Sequence, residues 1–198
     1  KDELGRQYGS SLYERLALSR EKEEVMRLAL EGQQIEKPDD IFKDPYVLEF
    51  TGLPEEPVYS ETDLEKRLID NLQMFLLELG RGFTFVGRQV RFTFEEEHYR
   101  VDLVFFNRLL RCFVLFDLKV GQLKHQDIGQ MQMYVNYYDR KVKLEDENPT
   151  IGIIICKDKK YAVVEMTLPE DNNQIFASKY QTVLPSKEEL RQLISEKE

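Results

Sequence analysis

The chain has 198 residues and a mass of 23.5 kDa, enough for one full domain and part of another, which excludes a large multidomain enzyme. Hydrophobic residues make up 41% and charged residues 33%, with 12 Phe and 10 Tyr, so the chain can bury a core and is too aromatic to be disordered. The net charge of −9 disfavours nucleic-acid binding on average, yet it is uneven: residues 81–143 carry 11 basic and 7 acidic side chains, a net of +4, against −9 over 1–80 and −4 over 144–198.

In chain order, the apolar positions Leu12, Leu16, Leu18, Val25, Leu28 and Leu30 predict two short helices, with Ser19 capping the second. Neither buries its stripe alone, so this segment is expected to pack on a partner chain. Pro38, Pro45, Pro54 and Pro57 punctuate Gly32–Tyr59 and predict an extended linker around Tyr46–Phe50. Glu61–Leu79 then reads as one amphipathic helix, with Ser60 as N-cap and Gly80 as stop. Three β-like runs follow, Phe83–Phe94 with an interruption at Gly87, Tyr99–Asn107 and Cys112–Val120, and they suggest a meander. A helix over about Gln126–Arg140, a buried strand over Thr150–Lys157, an apolar stretch at Tyr161–Leu168, a short strand near Tyr180–Val183 and a helix opened by Pro185-Ser186 complete the chain. No window approaches the roughly 18 apolar residues of a membrane span, and Lys1-Asp2-Glu3-Leu4 lacks the pattern of a secretion signal. Cys112 and Cys156 sit inside apolar runs and read as core thiols of a reducing, cytoplasmic setting.

The chemistry concentrates in the basic middle. Asp102 and Asp117 each lie within an apolar strand, where an unpaired carboxylate is costly. A turn centred on Leu109-Leu110 places them opposite each other across an antiparallel pair, and period-2 alternation puts Lys119 on the face of Asp117. Two facing carboxylates repel unless a cation lies between them, and such hard oxygen donors suit Mg2+ or Mn2+ better than Zn2+. The same residues also fit an ordinary ion pair between Asp102 and Lys119, with Asp117 at a strand end. Glu65 falls on the apolar stripe of its helix beside Leu68, Ile69, Leu72 and Leu76, either meeting this cluster or complementing the helix dipole. Gln130 and Tyr134, four apart, share one helix face, which suits phosphate or base edges and equally suits a wetted surface.

Together, Glu65, Asp102, Asp117-Leu118-Lys119 and Gln130-Met131-Gln132-Met133-Tyr134 resemble the PD-(D/E)XK nuclease core, with the Gln-x-x-x-Tyr helix of its RecB-like branches. Leu64–Gly80, Gly129–Tyr134 and Glu147-Asn148-Pro149-Thr150-Ile151-Gly152 resemble more closely the YhcG-type bacterial family. Asp117 stands where the wider superfamily more often has Glu, a shorter reach. The resemblance implies an α/β fold, a restriction-endonuclease-like mixed central sheet flanked by helices with a short helical N-terminal segment. It implies a remnant of an N-terminal helical domain at 1–31, the linker at 32–59 and the nuclease domain at 60–198.

It further implies a Mg2+-dependent DNA endonuclease, with Mn2+ as a possible substitute, acting in restriction or phage defence. Asp102, Asp117 and the Leu118 carbonyl would be metal ligands, and Glu65, Asp102, Asp117, Lys119 and Gln130 catalytic. Lys124, Gln130, Tyr134, Arg88, Arg91, Arg108 and Arg111 would contact nucleic acid, and Lys124 or His125 would fall at a helix N-terminus that favours anions. The expected partners are DNA and a second copy joined through the N-terminal helices, with no membrane and no organic cofactor. A catalytically silent nucleic-acid-binding or assembly module on the same fold, and a structural α/β oligomer, are the alternatives.

Overall fold

A computed structural model describes residues 35–183; the helices expected within Leu12–Leu30 and after Pro185 lie outside them. The elements in chain order are β1 (Tyr46–Val47), α1 (Glu61–Asp70), α2 (Leu72–Leu79), β2 (Phe83–Phe94), β3 (Glu97–Asn107), β4 (Cys112–Gln122), α3 (His125–Tyr137), β5 (Ile151–Asp158), α4 (Tyr161–Thr167) and β6 (Ile175–Gln181). The expected meander is there: β2, β3 and β4 pair antiparallel in succession. Its first turn is made by Glu95 and Glu96, both at positive φ (48° and 69°), the backbone a two-residue hairpin requires.

After β4 the pairing becomes parallel. The crossover through α3 returns the chain to β5 alongside β4, and α4 leads to β6 alongside β5. The six-stranded mixed sheet has the order β1-β6-β5-β4-β3-β2. Helices cover both faces, so β5, at the centre, is buried along Ile151–Cys156 and reads as a continuous apolar run rather than an alternating one. One core layer joins Leu64, Leu68, Phe75 and Leu79 of the first two helices to Leu103, Phe105, Phe116 and Leu118. The other joins Ile128, Met131, Tyr134 and Val135 of α3 to Val101, Val104, Leu115 and Ile154. Cys112 and Cys156 are buried free thiols, and burial pushes each up to about 12.

Several expectations need correction. The helix over Glu61–Leu79 is divided at Asn71, whose backbone (φ −115°, ψ 34°) leaves the helical region while its side-chain amide donates to the Arg67 carbonyl at 3.0 Å. Tyr161–Thr167 forms a helix, and the last strand begins at Ile175, five residues ahead of the expected Tyr180. The proline-punctuated stretch expected as a linker is packed into the same body. Ile41, Tyr46 and Leu48 are fully buried, β1 runs parallel to β6, and the Val47 N–H donates to the buried Glu78 carboxylate at 3.0 Å. Lys159 clasps Asp44 of this stretch at 2.6 Å. Prolines stopped it from continuing a helix, but its apolar residues still cover one face of the sheet.

Helix α3 approaches β5 at Gly152, where an added Cβ would lie 2.5 Å from Met131 Sδ and 2.9 Å from Val135 Cγ2. Gly152→Ala is therefore expected to cost about 1–3 kcal/mol in chemical denaturation, since Met131 can yield only in part; an unchanged midpoint would contradict this packing.

Candidate active site

The β3–β4 ladder has the expected register, from Leu103↔Phe116 to Asn107↔Cys112, and ends one pair short of Asp102 and Asp117. Charge repulsion across such a pair explains why it is not continued. Instead of facing Asp117, Asp102 turns to the backbone that the parted strands expose: its Oδ2 accepts from the Leu118 N–H at 2.8 Å, and its Oδ1 accepts from Gln89 Nε2 at 2.8 Å. Asp117 is only 2% exposed, and Lys119 Nζ lies 2.9 Å from its Oδ2 on the shared face that alternation predicts. Apart from that ion pair, this buried oxygen has no hydrogen-bond partner among the described residues.

Burial pushes the Asp117 carboxyl up to about 7; Lys119 opposes the rise, and the nearby Asp102 charge adds to it. Burial is the largest influence on the Lys119 ammonium and would lower it, but the charge and hydrogen bond of Asp117, with the charges of Glu61 and Asp127, together outweigh it and the group is raised. Lys119 thus stays charged while its partner is poised between states. No group of three His, Cys, Asp or Glu side chains is arranged to hold a metal among the described residues. The two aspartates nevertheless fit a hard divalent cation. The Asp117 Oδ2 is met only by the Lys119 ammonium, and the Asp102 oxygens each retain a lone pair beyond the hydrogen bond they accept.

Glu65 is buried on α1 and reaches this cluster through an intermediary: the Gln89 side-chain amide donates to Glu65 as well as to Asp102. No hydrogen bond or ion pair joins Glu65 to Lys119 among the described residues. Burial raises the Glu65 carboxyl, and the Gln89 hydrogen bond opposes it.

On α3, Gln130 donates through its amide to the Tyr134 hydroxyl, and both line a cavity of about 600 Å3 with His98, Tyr99, Arg100 and Met133. Tyr134 is almost fully buried, which raises its phenol and leaves it a neutral donor. The charges of Asp117, Asp102 and Lys119 act on the Tyr134 hydroxyl, although none of the three side chains lines this cavity. Lys124 is the exposed N-cap of α3 and His125 its first residue, but the Lys124 N–H already donates to Asp127 at 2.8 Å. A second cavity, of about 540 Å3, is lined by Glu65, Gln89, Arg88 and Arg100 among others. Arg91 pairs across the strands with Arg100, an exposed juxtaposition of like charges that an anion would relieve.

Arg108 and Arg111 are not brought to the site. They occupy the β3–β4 turn, roughly 20 Å of strand from Asp102, and Arg111 is paired with Asp146 at 2.5 Å. Sequence reasoning missed Gln89 and Arg100. Arg100 was legible, being two residues from Asp102 on a strand and so on its face; Gln89 carried no such signal.

The chain matches the family model of the YhcG PDDEXK nuclease domain over residues 39–195. It is 42% identical over 188 residues to "Putative nuclease YhcG" of Escherichia coli (strain K12), covering 95% of this chain and half the length of that relative. Among solved structures, the EndoMS-dsDNA2 complex superposes with a TM-score of 0.45 at 12% identity, over 64% of this chain and 46% of that one. A repair endonuclease from Pyrococcus abyssi does so with a TM-score of 0.40 at 15% identity, over 67% and 50%.

A carboxyl raised to about 7 in the folded chain keeps its proton there at pH values where the unfolded chain, near 4, has lost it. Asp117 therefore withdraws stability as pH rises from about 4 to about 7. In EDTA at pH 8, Asp117→Asn should unfold about 1–3 kcal/mol later than the parent, after allowance for the stranded Lys119, and the two should nearly coincide at pH 4. An Asn variant less stable than the parent at pH 8 would contradict the burial account.

Proposed function

The chain belongs to the YhcG PDDEXK nuclease domain family, and from that membership we propose that it is a divalent-metal-dependent nuclease, an endonuclease hydrolysing DNA phosphodiesters. The observation that carries the reading is the buried Asp117 carboxylate, whose Oδ2 is met by the Lys119 ammonium alone, near Asp102 where β3 and β4 part. A binding-only module gains nothing from such a carboxylate near phosphate. Asp102, Asp117 and the Leu118 carbonyl would hold the ion, with Mg2+ the first choice and Mn2+ a substitute. When bound, the ion supplies charge neutralisation at the phosphoryl oxygens and an activated water.

Lys119 turns its ammonium from Asp117 toward the scissile phosphate and neutralises charge developing there. Gln130, with its amide oriented by Tyr134, holds a phosphate oxygen or the attacking water. Arg100, Arg91 and Arg88 track the backbone on either side through non-specific charge. The expected partner is a second copy, so that two sites address the two strands of a duplex in a cytoplasmic restriction or defence setting. The nuclease domain begins near residue 39, since the stretch before 60 completes the core.

Purified chain should cleave DNA with Mg2+ or Mn2+ and be silent in EDTA. Asp117→Ala should abolish turnover, Lys119→Ala should lower kcat by about 10²–10³, and Gln130→Ala should lower cleavage with the fold intact. Arg100→Ala should weaken binding and reduce the salt slope by about 1. Cleavage by the parent in EDTA, or by Asp117→Ala, would overturn the reading.

A further inference from the structure

Gln89 joins two carboxylates that would otherwise repel. A single amide nitrogen, with two hydrogens to give, donates to Glu65 from α1 and to Asp102 from β3. The strand geometry is arranged around this contact: β2 and β3 pair at Arg88↔Leu103 and again at Val90↔Val101, and the facing positions between, Gln89 and Asp102, are left out of the ladder. Gln89 also sits at φ 47°, the left-handed region that a non-glycine side chain pays to enter, within a strand that carries a register shift at Phe85/Gly87. Nothing about strand stability calls for glutamine at that backbone position, where glycine would be unstrained.

The chemistry of the bridge is specific. A Lys or Arg in this place could also donate to both carboxylates, but it would neutralise them and compete with an incoming cation. An uncharged amide fixes their orientation and leaves both negative charges available.

We propose that Gln89 is a positioning residue, whose side-chain amide orients the Asp102 carboxylate, with Glu65 locked behind it, for binding a divalent cation. The inference rests on the metal-dependent reading above. Relief of the strained backbone offsets the lost bridge in a glycine variant, which makes the function separable from the fold: removing the side chain in that way should impair the site without weakening the protein.

The test is a Mn2+ titration of the metal-free chain, followed by electron paramagnetic resonance of the free ion, with Tm measured in EDTA. Gln89→Met keeps the volume without donors, Gln89→Gly relieves the strained backbone, and Asp117→Ala is the control. The parent should bind Mn2+ and Asp117→Ala should lose it. Both Gln89 variants should need about 10–100-fold more Mn2+ for half-saturation, with the Gly variant's Tm equal to or above the parent's. Parent-like affinity in both variants would overturn the role of Gln89 while leaving the nuclease reading intact. A Gly variant that loses Tm along with affinity would make Gln89 scaffold and also overturn it. A parent that binds no Mn2+ would instead strike the metal-dependent reading itself, and this inference with it.

Discussion

A carboxylate buried beside one ammonium, its inner oxygen met by nothing else, is the constraint around which this molecule is arranged. Burying Asp117 opposes folding, and Lys119 relieves only part of that penalty. The surrounding fold must supply the difference. It does so through two core layers packed on opposite faces of a sheet whose central strand is buried along most of its length. The site lies where the antiparallel and parallel halves of that sheet meet. β4 pairs with β5 to the side of Asp117 and Lys119, but β3 has already left it, and the opening between them is where Asp102 reaches a free backbone N–H.

The two helical layers then contribute from either side. Helix α1 offers Glu65 through Gln89, and helix α3 offers the Gln130–Tyr134 pair beside a cavity. Each side chain is set on regular secondary structure rather than on a loop, which suits a site whose distances matter to a fraction of an ångström. Arg100 lines the cavities on both sides of the cluster.

Much of this was legible in the sequence because it depends on short-range periodicity. The meander followed from three β-like runs, and the turn at Leu109-Leu110 set a register that the structure keeps from Leu103 to Asn107. Alternation placed Lys119 with Asp117, and helical spacing placed Gln130 with Tyr134. What was not legible depends on departures from periodicity. The repulsion between Asp102 and Asp117 was legible, but not that Asp102 would leave the ladder for the Leu118 N–H, and Gln89 meets it only because a non-glycine residue takes a positive φ. A two-residue edge strand at Tyr46–Val47 is too short to show a period, and its prolines argued for a linker. The early residues of β6 bury Ala177 and Ser178, small side chains that give little hydrophobic signal. Asn71 divides a helix whose apolar spacing continues without a break.

The account's central claim is that the Asp117 oxygen, held only by the Lys119 ammonium, receives a cation, with Lys119 released by its arrival. The most direct measurement is anomalous diffraction from crystals of this chain equilibrated with Mn2+. The account predicts a peak between the Asp102 and Asp117 carboxylates, with Lys119 Nζ moved away from its 2.9 Å contact with Asp117. A map with no peak at the two aspartates and the Lys119–Asp117 pair still closed at saturating Mn2+ would contradict it.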